Sequence, residues 1–226
     1  MMGNWGAWLG RRCQGCGAVV AEGWLCAQCS RHMPRQTHSF CPRCGEIRAG
    51  AAGAPLVCGR CRLDPPPWSA VAFWGGYAGL LRRLLVRLKF AGELGLVGVL
   101  GWMMAEAVQE RGLVADVVVP VPMRPSGLAE RGFNQSVELA RVLSRRMGWP
   151  MRQLLTKIRD TERQARLSCA ERQANVAGAF VSAPVPGLRV AVVDDIMTTG
   201  ATARACAWAL KAAGAREVWC AVVARA

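Results

Sequence analysis

Two kinds of hydrophobic pattern divide this chain. From residue 68 onward, short apolar runs alternate with stretches of helical spacing. The runs at 69–74, 114–119, 154–158, 179–182, 190–193 and 218–223 have the length and composition of buried strands. Between them the period lengthens. Leu81, Leu84, Leu85 and Leu88 recur at helical spacing within 78–90, with Arg82, Arg83, Arg87 and Lys89 elsewhere on the wheel. A second helix is expected over 93–111, stopping at Gly112. A third follows Gln135 to about Met147, and a fourth runs from 203 to 213 and stops at Gly214. The polar stretch 159–178, rich in Arg and Gln, reads as loop with some helix. Strands and helices in this order predict an α/β domain with a mainly parallel sheet and helices on both faces.

Ahead of residue 62 that pattern gives way to cysteine. Eight of the eleven cysteines lie there, as Cys13/Cys16, Cys26/Cys29, Cys41/Cys44 and Cys58/Cys61. Each pair is C-x-x-C, a spacing that lets two thiolates reach one tetrahedral metal from a single turn. Taken sequentially, Cys13, Cys16, Cys26 and Cys29 form one site and Cys41, Cys44, Cys58 and Cys61 a second, with intervals of nine and thirteen residues between pairs. A cross-braced pairing is the alternative, and it closes longer loops. Disulfides are the competing use of the thiols; the thioredoxin-like strand and helix of a redox pair are missing here. About 60 residues of this composition build little core, so two structural zinc ions are expected to supply most of the folding energy. His32 and His38 read as surface residues, and Cys169, Cys206 and Cys220 as small hydrophobes. The run 64–67, Asp followed by three prolines, reads as a stiff linker. The expected organisation is a zinc module over 1–63, a proline linker over 64–67 and the α/β domain over 68–226.

The most informative stretch in the second half is RVAVVDDIMTTGAT, Arg189 to Thr202. A strand leads into two carboxylates, then into small and hydroxyl residues at the start of a helix. Such a loop aims backbone N–H groups and hydroxyls at one point, where the helix dipole favours an anion. Asp194 and Asp195 just upstream would repel a free phosphate but accept hydrogen bonds from a diol. A ribose 5-phosphate has that shape. The acidic pair is expected to face solvent at the strand end.

Charge and composition narrow the classes. The formal charge is +14, carried by 26 Arg and 3 Lys against 15 acids. Two four-thiolate zinc sites, each about −2, lower that excess without removing it. What remains suits phosphate-rich ligands or nucleic acid. Trp24, Phe40, Trp68 and Trp74 are candidate stacking surfaces for single strands, or else core. The start of the chain shows no secretory pattern. The longest apolar-rich stretch, 94–107, is interrupted by Gly95, Gly98 and Gly101 and is too short to span a bilayer, so a cytoplasmic protein without a transmembrane segment is expected. The second half contains no His, which argues against a hydrolase triad.

The Asp194–Thr202 loop resembles the phosphoribosyl pyrophosphate (PRPP) loop of type I phosphoribosyltransferases. Together with the eight cysteines, Pro120-Val121-Pro122, Glu130-Arg131-Gly132-Phe133-Asn134-Gln135 and Leu88-Lys89-Phe90, it makes the whole chain similar to the ComF family, a double zinc ribbon joined to a phosphoribosyltransferase domain and named for competence in DNA uptake. The resemblance implies that Asp194 and Asp195 hold the ribose hydroxyls and that Thr198, Thr199, Gly200, Ala201 and Thr202 cradle the 5′-phosphate. It makes the 119–124 turn, with Val121 and Pro122, the pyrophosphate loop, and 159–178 the closing hood. Arg131 would neutralise pyrophosphate, so that Asp194, Asp195 and Arg131 form the catalytic set, with Mg²⁺ entering on PRPP. Lys157 stands where the family pattern leads one to expect Arg, a point charge in place of a planar fork. The implied partners are PRPP and either single-stranded DNA or DNA-uptake machinery. Two functions follow: phosphoribosyl transfer to an acceptor in DNA uptake or nucleotide metabolism, or non-catalytic PRPP sensing by a protein that handles single-stranded DNA.

Overall fold

The computed structural model describes residues 11–48, 56–158 and 178–226. The expected hood lies outside the described residues except for Gly178, and so does Cys169.

The amino-terminal part is built from two similar knuckles. The first holds the hairpin β1 (Arg11–Arg12) and β2 (Val19–Val20) and a short helix α1 (Ala27–Arg31). The second ends in helix α2 (Gly59–Leu63). In each, a cysteine caps the helix: Cys26 Sγ accepts from Cys29 N–H, and Cys58 Sγ from Cys61 N–H, both at 3.4 Å. The α/β part then runs β3 (Val71–Ala72), β4 (Gly75–Gly76), α3 (Gly79–Ala91), α4 (Val97–Glu110), β5 (Val117–Pro120), α5 (Pro125–Arg131) and α6 (Gln135–Met147). It continues with β6 (Leu155–Lys157), β7 (Phe180–Ser182), β8 (Arg189–Val193), β9 (Ile196–Met197), α7 (Ala201–Ala212), β10 (Glu217–Ala221) and β11 (Ala224–Arg225).

The central sheet is parallel, in the order β3-β10-β8-β5. Alternation along its strands sorts the side chains to two faces, as the two-residue period requires. Val118, Ala191 and Trp219, neighbours in register, lie with Ala72, Val193 and Ala221 in a core closed by the leucines of α3 and by α4 and α6. Val119, Val192, Cys220 and Val71 form the next row and belong to the opposite core, closed by Cys206, Ala207 and Leu210 of α7. At the foot of the sheet Asp116 and Arg189 pair with Oδ1–Nη2 at 2.7 Å, and the Arg189 hydrogen bonds hold the Asp116 carboxyl down at about 2.

Three adjacent strands share one interruption. β3 stops at Ala72 and resumes as β4 at Gly75; β8 stops at Val193 and resumes as β9 at Ile196; β10 stops at Ala221 and resumes as β11 at Ala224. The resumed pieces pair in parallel in the order β4-β11-β9. Of the expected strand over 69–74 only Val71–Ala72 is strand, with β4 beyond it, and the expected last strand over 218–223 stops at Ala221, with β11 beyond it. Residues 93–111 divide into a tight turn at Leu94–Leu96 and α4. Helix α5, opened by Pro125 in its first turn, is not among the expected helices, because none of its residues is buried and no apolar stripe marks it. β6 and β7 pair antiparallel outside the main sheet.

The knuckles do not stand apart from the sheet. Cys13, Val20, Cys29 and Met33 share one core with the α3 and α4 residues. Arg87 Nη1 donates to Gln14 O at 2.8 Å, and Arg35 Nη2 reaches Glu110 Oε2 at 2.6 Å. A Cβ on Gly98 would meet Trp24 at 2.6 Å and one on Gly101 would meet Val142 at 2.6 Å, so two of the glycines that interrupt the apolar stretch are points of close approach. The prolines join the two parts without spacing them: Pro66 and Trp68 are buried, and Asp64 pairs with Arg204 at 3.0 Å. Of the candidate stacking residues, Phe40 and Trp68 are core and Trp74 packs on Trp102 at 5.5 Å between ring centres. His32 and His38 are exposed. Among the described residues no helix is long and apolar enough to cross a membrane.

Candidate functional site

Asp194 and Asp195 fill the interruption between β8 and β9. Their backbone is held by the neighbouring strand pieces: Asp194 N–H donates to Ala221 O at 3.1 Å, and Asp195 O accepts from Val223 N–H at 3.0 Å. With the ladder broken there, the two side chains need not point to opposite faces. Asp194 Oδ1 accepts from Ser136 Oγ at 2.8 Å and from Asp195 N–H at 2.9 Å. Asp195 Oδ1 accepts from Ile196 N–H at 2.9 Å, and its Oδ2 from Gln135 Nε2 at 3.3 Å, with Lys89 Nζ at 3.8 Å. Asp195 is only 5% exposed and Asp194 half-buried, so the pair does not face open solvent as expected. Burial, and then the Asp195 charge, push the Asp194 carboxyl up to about 7; the Ser136 hydroxyl and Asp195 N–H oppose that rise.

The loop that follows enters α7. Gly200 sits at φ +78° directly before the helix, and a Cβ there would lie 3.3 Å from the Trp68 ring. Thr199 Oγ1 accepts from Ala201 N–H at 3.3 Å. Thr198, Thr199, Gly200, Ala201 and Thr202 line a small pocket of about 50 Å³ that also takes in Val121 and Asp194. It opens into a cleft of about 500 Å³ lined by Asp194, Asp195, Thr198, Thr202, Val121, Pro122 and Arg131. The residues named above for the ribose hydroxyls, the 5′-phosphate and pyrophosphate thus line two cavities that share Val121, Asp194, Thr198 and Thr202.

The facing wall comes from β5 and α6. Asn134 Nδ2 donates to Val121 O at 3.1 Å, while its Oδ1 caps α6 by accepting Ser136 N–H at 2.9 Å. One side chain therefore fixes both the turn after β5 and the helix that presents Gln135 and Ser136. Arg131 ends α5, and its Nη1 donates to Gln135 Oε1 at 3.2 Å. Lys89, Arg124, Arg131 and Lys157 line the same cleft, four cations against two carboxylates. Such a lining offers cations to a polyanion and carboxylates to hydroxyl donors. Lys89, Gln135 and Ser136 were not legible as site residues. Lys89 and Gln135 stand in motifs that carry the family resemblance but were given no role there; Ser136 is reached only through the fold.

The cysteines gather as the sequential reading has it. Within each tetrad the four sulphurs lie within 4.8 Å of one another. Zn–S bonds of about 2.3 Å require tetrahedron edges of about 3.8 Å. Cys16 and Cys26 Sγ are 3.8 Å apart, and Cys44 and Cys58 Sγ 3.6 Å. Cys26 N–H donates to Cys13 Sγ at 3.2 Å and Cys58 N–H to Cys41 Sγ at 3.4 Å, contacts that favour thiolates. Without a cation, burial and neighbouring sulphurs push Cys29 up to about 12. Soft donors at tetrahedral spacing with their charge left to be balanced fit one zinc ion per tetrad.

Residues 7–62 match the double zinc ribbon domain family and residues 126–226 the phosphoribosyl transferase domain family. The DNA utilization protein YhgH of Salmonella typhimurium is 36% identical over 206 residues, spanning 87% of this chain and 88% of that protein. Competence protein F of Haemophilus influenzae is 29% identical over 209 residues, spanning 88% and 89%. Among solved structures, the glutamine PRPP amidotransferase from B. subtilis is 30% identical with a TM-score of 0.39, over 55% of this chain and 26% of that one. The fold is that of type I phosphoribosyltransferases behind an amino-terminal double zinc ribbon.

Proposed function

The chain belongs to the ComF family, and from that premise we propose that its cleft binds PRPP with Mg²⁺ in the service of DNA uptake or utilisation. The observation that carries this reading is the juxtaposition of Asp194 and Asp195 with the 198–202 loop at the start of α7, in a cleft that Lys89, Arg124, Arg131 and Lys157 also line. A 5′-phosphate meets N–H groups, hydroxyls and a helix dipole. The ribose 2′ and 3′ hydroxyls donate to the two carboxylates in charge-assisted hydrogen bonds. Arg131, Lys89 and Lys157 offset the charge of the pyrophosphate, and Mg²⁺ is held mainly through ligand oxygens and water. In a transfer reaction the protein positions the substrate and neutralises pyrophosphate as the anomeric carbon becomes cation-like, so few side chains act as acid or base. The names of the relatives, the net charge of +14 and the exposed Arg82 and Arg83 on α3 favour a further role in which PRPP is sensed and single-stranded DNA is handled.

Calorimetry with PRPP and Mg²⁺, followed by a pyrophosphate-release assay over a panel of nucleobases, separates these readings. Saturable PRPP binding with release of pyrophosphate supports transfer. Binding without release, together with single-stranded DNA affinity that falls steeply with salt, supports sensing. Absence of PRPP binding at millimolar ligand would sink both.

A further inference from the structure

We propose that Arg225 is a positioning residue tying the second cysteine tetrad to the phosphate loop, so that zinc in that tetrad and PRPP at the loop stabilise one another. The PRPP half of this statement rests on the function proposed above.

Arg225 ends β11 and is only 6% exposed. Its Nε donates to the backbone oxygen of Cys44, a member of the second tetrad, at 2.8 Å. Its Nη1 donates to Met197 O at 2.9 Å and also to Thr198 O. These carbonyls immediately precede Thr199 and Gly200. A trans peptide is planar, with its N–H opposed to its C=O. Holding the carbonyls of Met197 and Thr198 on the guanidinium side therefore turns the following N–H groups, those of Thr198 and Thr199, away from Arg225. One side chain fixes the orientation of the peptides on which phosphate binding depends, and its other end hangs on the metal knuckle.

Two more contacts join the same regions. Trp68 Nε1 donates to Arg43 O at 2.7 Å, between Cys41 and Cys44, while its ring packs where a Gly200 Cβ would be. Arg204, in the first turn of α7, pairs with Asp64 just beyond α2, the helix carrying Cys61. The first tetrad leans elsewhere: its turn meets Arg87 and Leu80 of α3. The turn at Cys41–Cys44 is set by ligation, so when metal leaves, the Cys44 carbonyl ceases to be a fixed anchor. The two zinc ions, alike in ligands, should differ in what they do to the loop.

Two readouts on the full-length chain test this. Hydrogen exchange at the amides of Thr198 to Thr202 needs no PRPP. It should quicken at least tenfold when Cys58→Ser strips metal from the second tetrad, well beyond any change when Cys13→Ser strips the first, and also in zinc-loaded Arg225→Lys, whose single ammonium cannot span three carbonyls as the fork does. Differential alkylation read by mass spectrometry follows each tetrad separately. Saturating PRPP with Mg²⁺ should slow alkylation of Cys41, Cys44, Cys58 and Cys61 at least fivefold in the wild-type protein, and leave Cys13, Cys16, Cys26 and Cys29 unchanged. Reciprocity of binding requires that protection if zinc favours PRPP. Unchanged exchange overturns the coupling whatever PRPP does. Changed exchange in a protein that fails to bind PRPP keeps the Arg225 link and overturns the ligand. Equal protection of both tetrads overturns the assignment to the second site. An Arg225→Lys protein that fails to fold leaves the exchange of the cysteine variants and the wild-type alkylation decisive.

Discussion

Asp194 is the half-buried member of the acidic pair. Burial and then the Asp195 charge push its carboxyl up to about 7, while the chain's two histidines, His32 and His38, lie exposed in the amino-terminal knuckles. The charged groups around it are Asp195, which raises it, and Lys89, Arg124, Arg131 and Lys157 in the shared cleft. A diol donates to the ionised form, so PRPP affinity should rise with pH, by about tenfold between pH 6 and 8 for one group of this pKa. Asp194→Asn should remove that part of the profile; subtracting the two profiles cancels the ligand's own titration. A parallel profile in the variant would assign the proton elsewhere. The effect on stability has the opposite sense. A pKa raised above the ordinary 3.8 means the folded state holds the proton more tightly, so the contribution is full below about 4 and is lost as pH rises towards 7. Asp195→Asn is a poorer probe, because that carboxylate is buried beside Lys89 and losing it strands a cation.

At the scale of elements, the loop and α7 are set by Gly200 and what it touches. From sequence, a larger residue there is expected either to take the space of a phosphate or to strain the loop. In the fold its Cβ points at Trp68 instead. Gly200→Ala should cost about 1–2 kcal/mol for the left-handed backbone, more if Trp68 cannot move. In a chain of this size that is a fall in Tm of about 2–8 °C. PRPP binding should weaken with it, through the loop's backbone and not through a filled phosphate site. A variant with lowered Tm and wild-type PRPP affinity would show that the loop tolerates displacement of Trp68.

For the whole molecule, the shared core of knuckles and sheet changes what metal does. Purified protein should hold about two zinc ions, by four thiolates to each. A module on a free linker would melt alone when Cys13→Ser removes one of them. Here Cys13 and Cys29 are packed with Leu80, Leu84 and Leu88, so loss of the first metal should lower the main transition itself. Calorimetry with and without chelator checks this: one displaced transition is expected, and a small early melt followed by an unmoved large one would restore the independent module. Deleting residues 1–63 would expose Leu80 and Leu81, so it tests stability before it tests nucleic acid.

The sequence by itself determined whatever is local or periodic. The C-x-x-C pairs named metal ligands, because one turn brings two thiolates together. The leucines of α3 and the aliphatic runs of β5, β8 and β10 named helix and strands, because period follows from backbone geometry. Asp194, Asp195 and the Thr-Thr-Gly run were legible because a strand, a turn and a helix start placed them side by side. Tertiary structure alone decided what depends on long-range packing. The shared interruption of three strands needs all three in register, and no one of them announces it. Ser136, Gln135 and Lys89 reach the acids from α6 and α3 by the way those helices cross the sheet. Arg225 reads as one more cation after an apolar strand, in a chain with 26 arginines. Only the fold carries the Cys44 carbonyl, 181 residues away in sequence, to its guanidinium, beside the carbonyls of Met197 and Thr198.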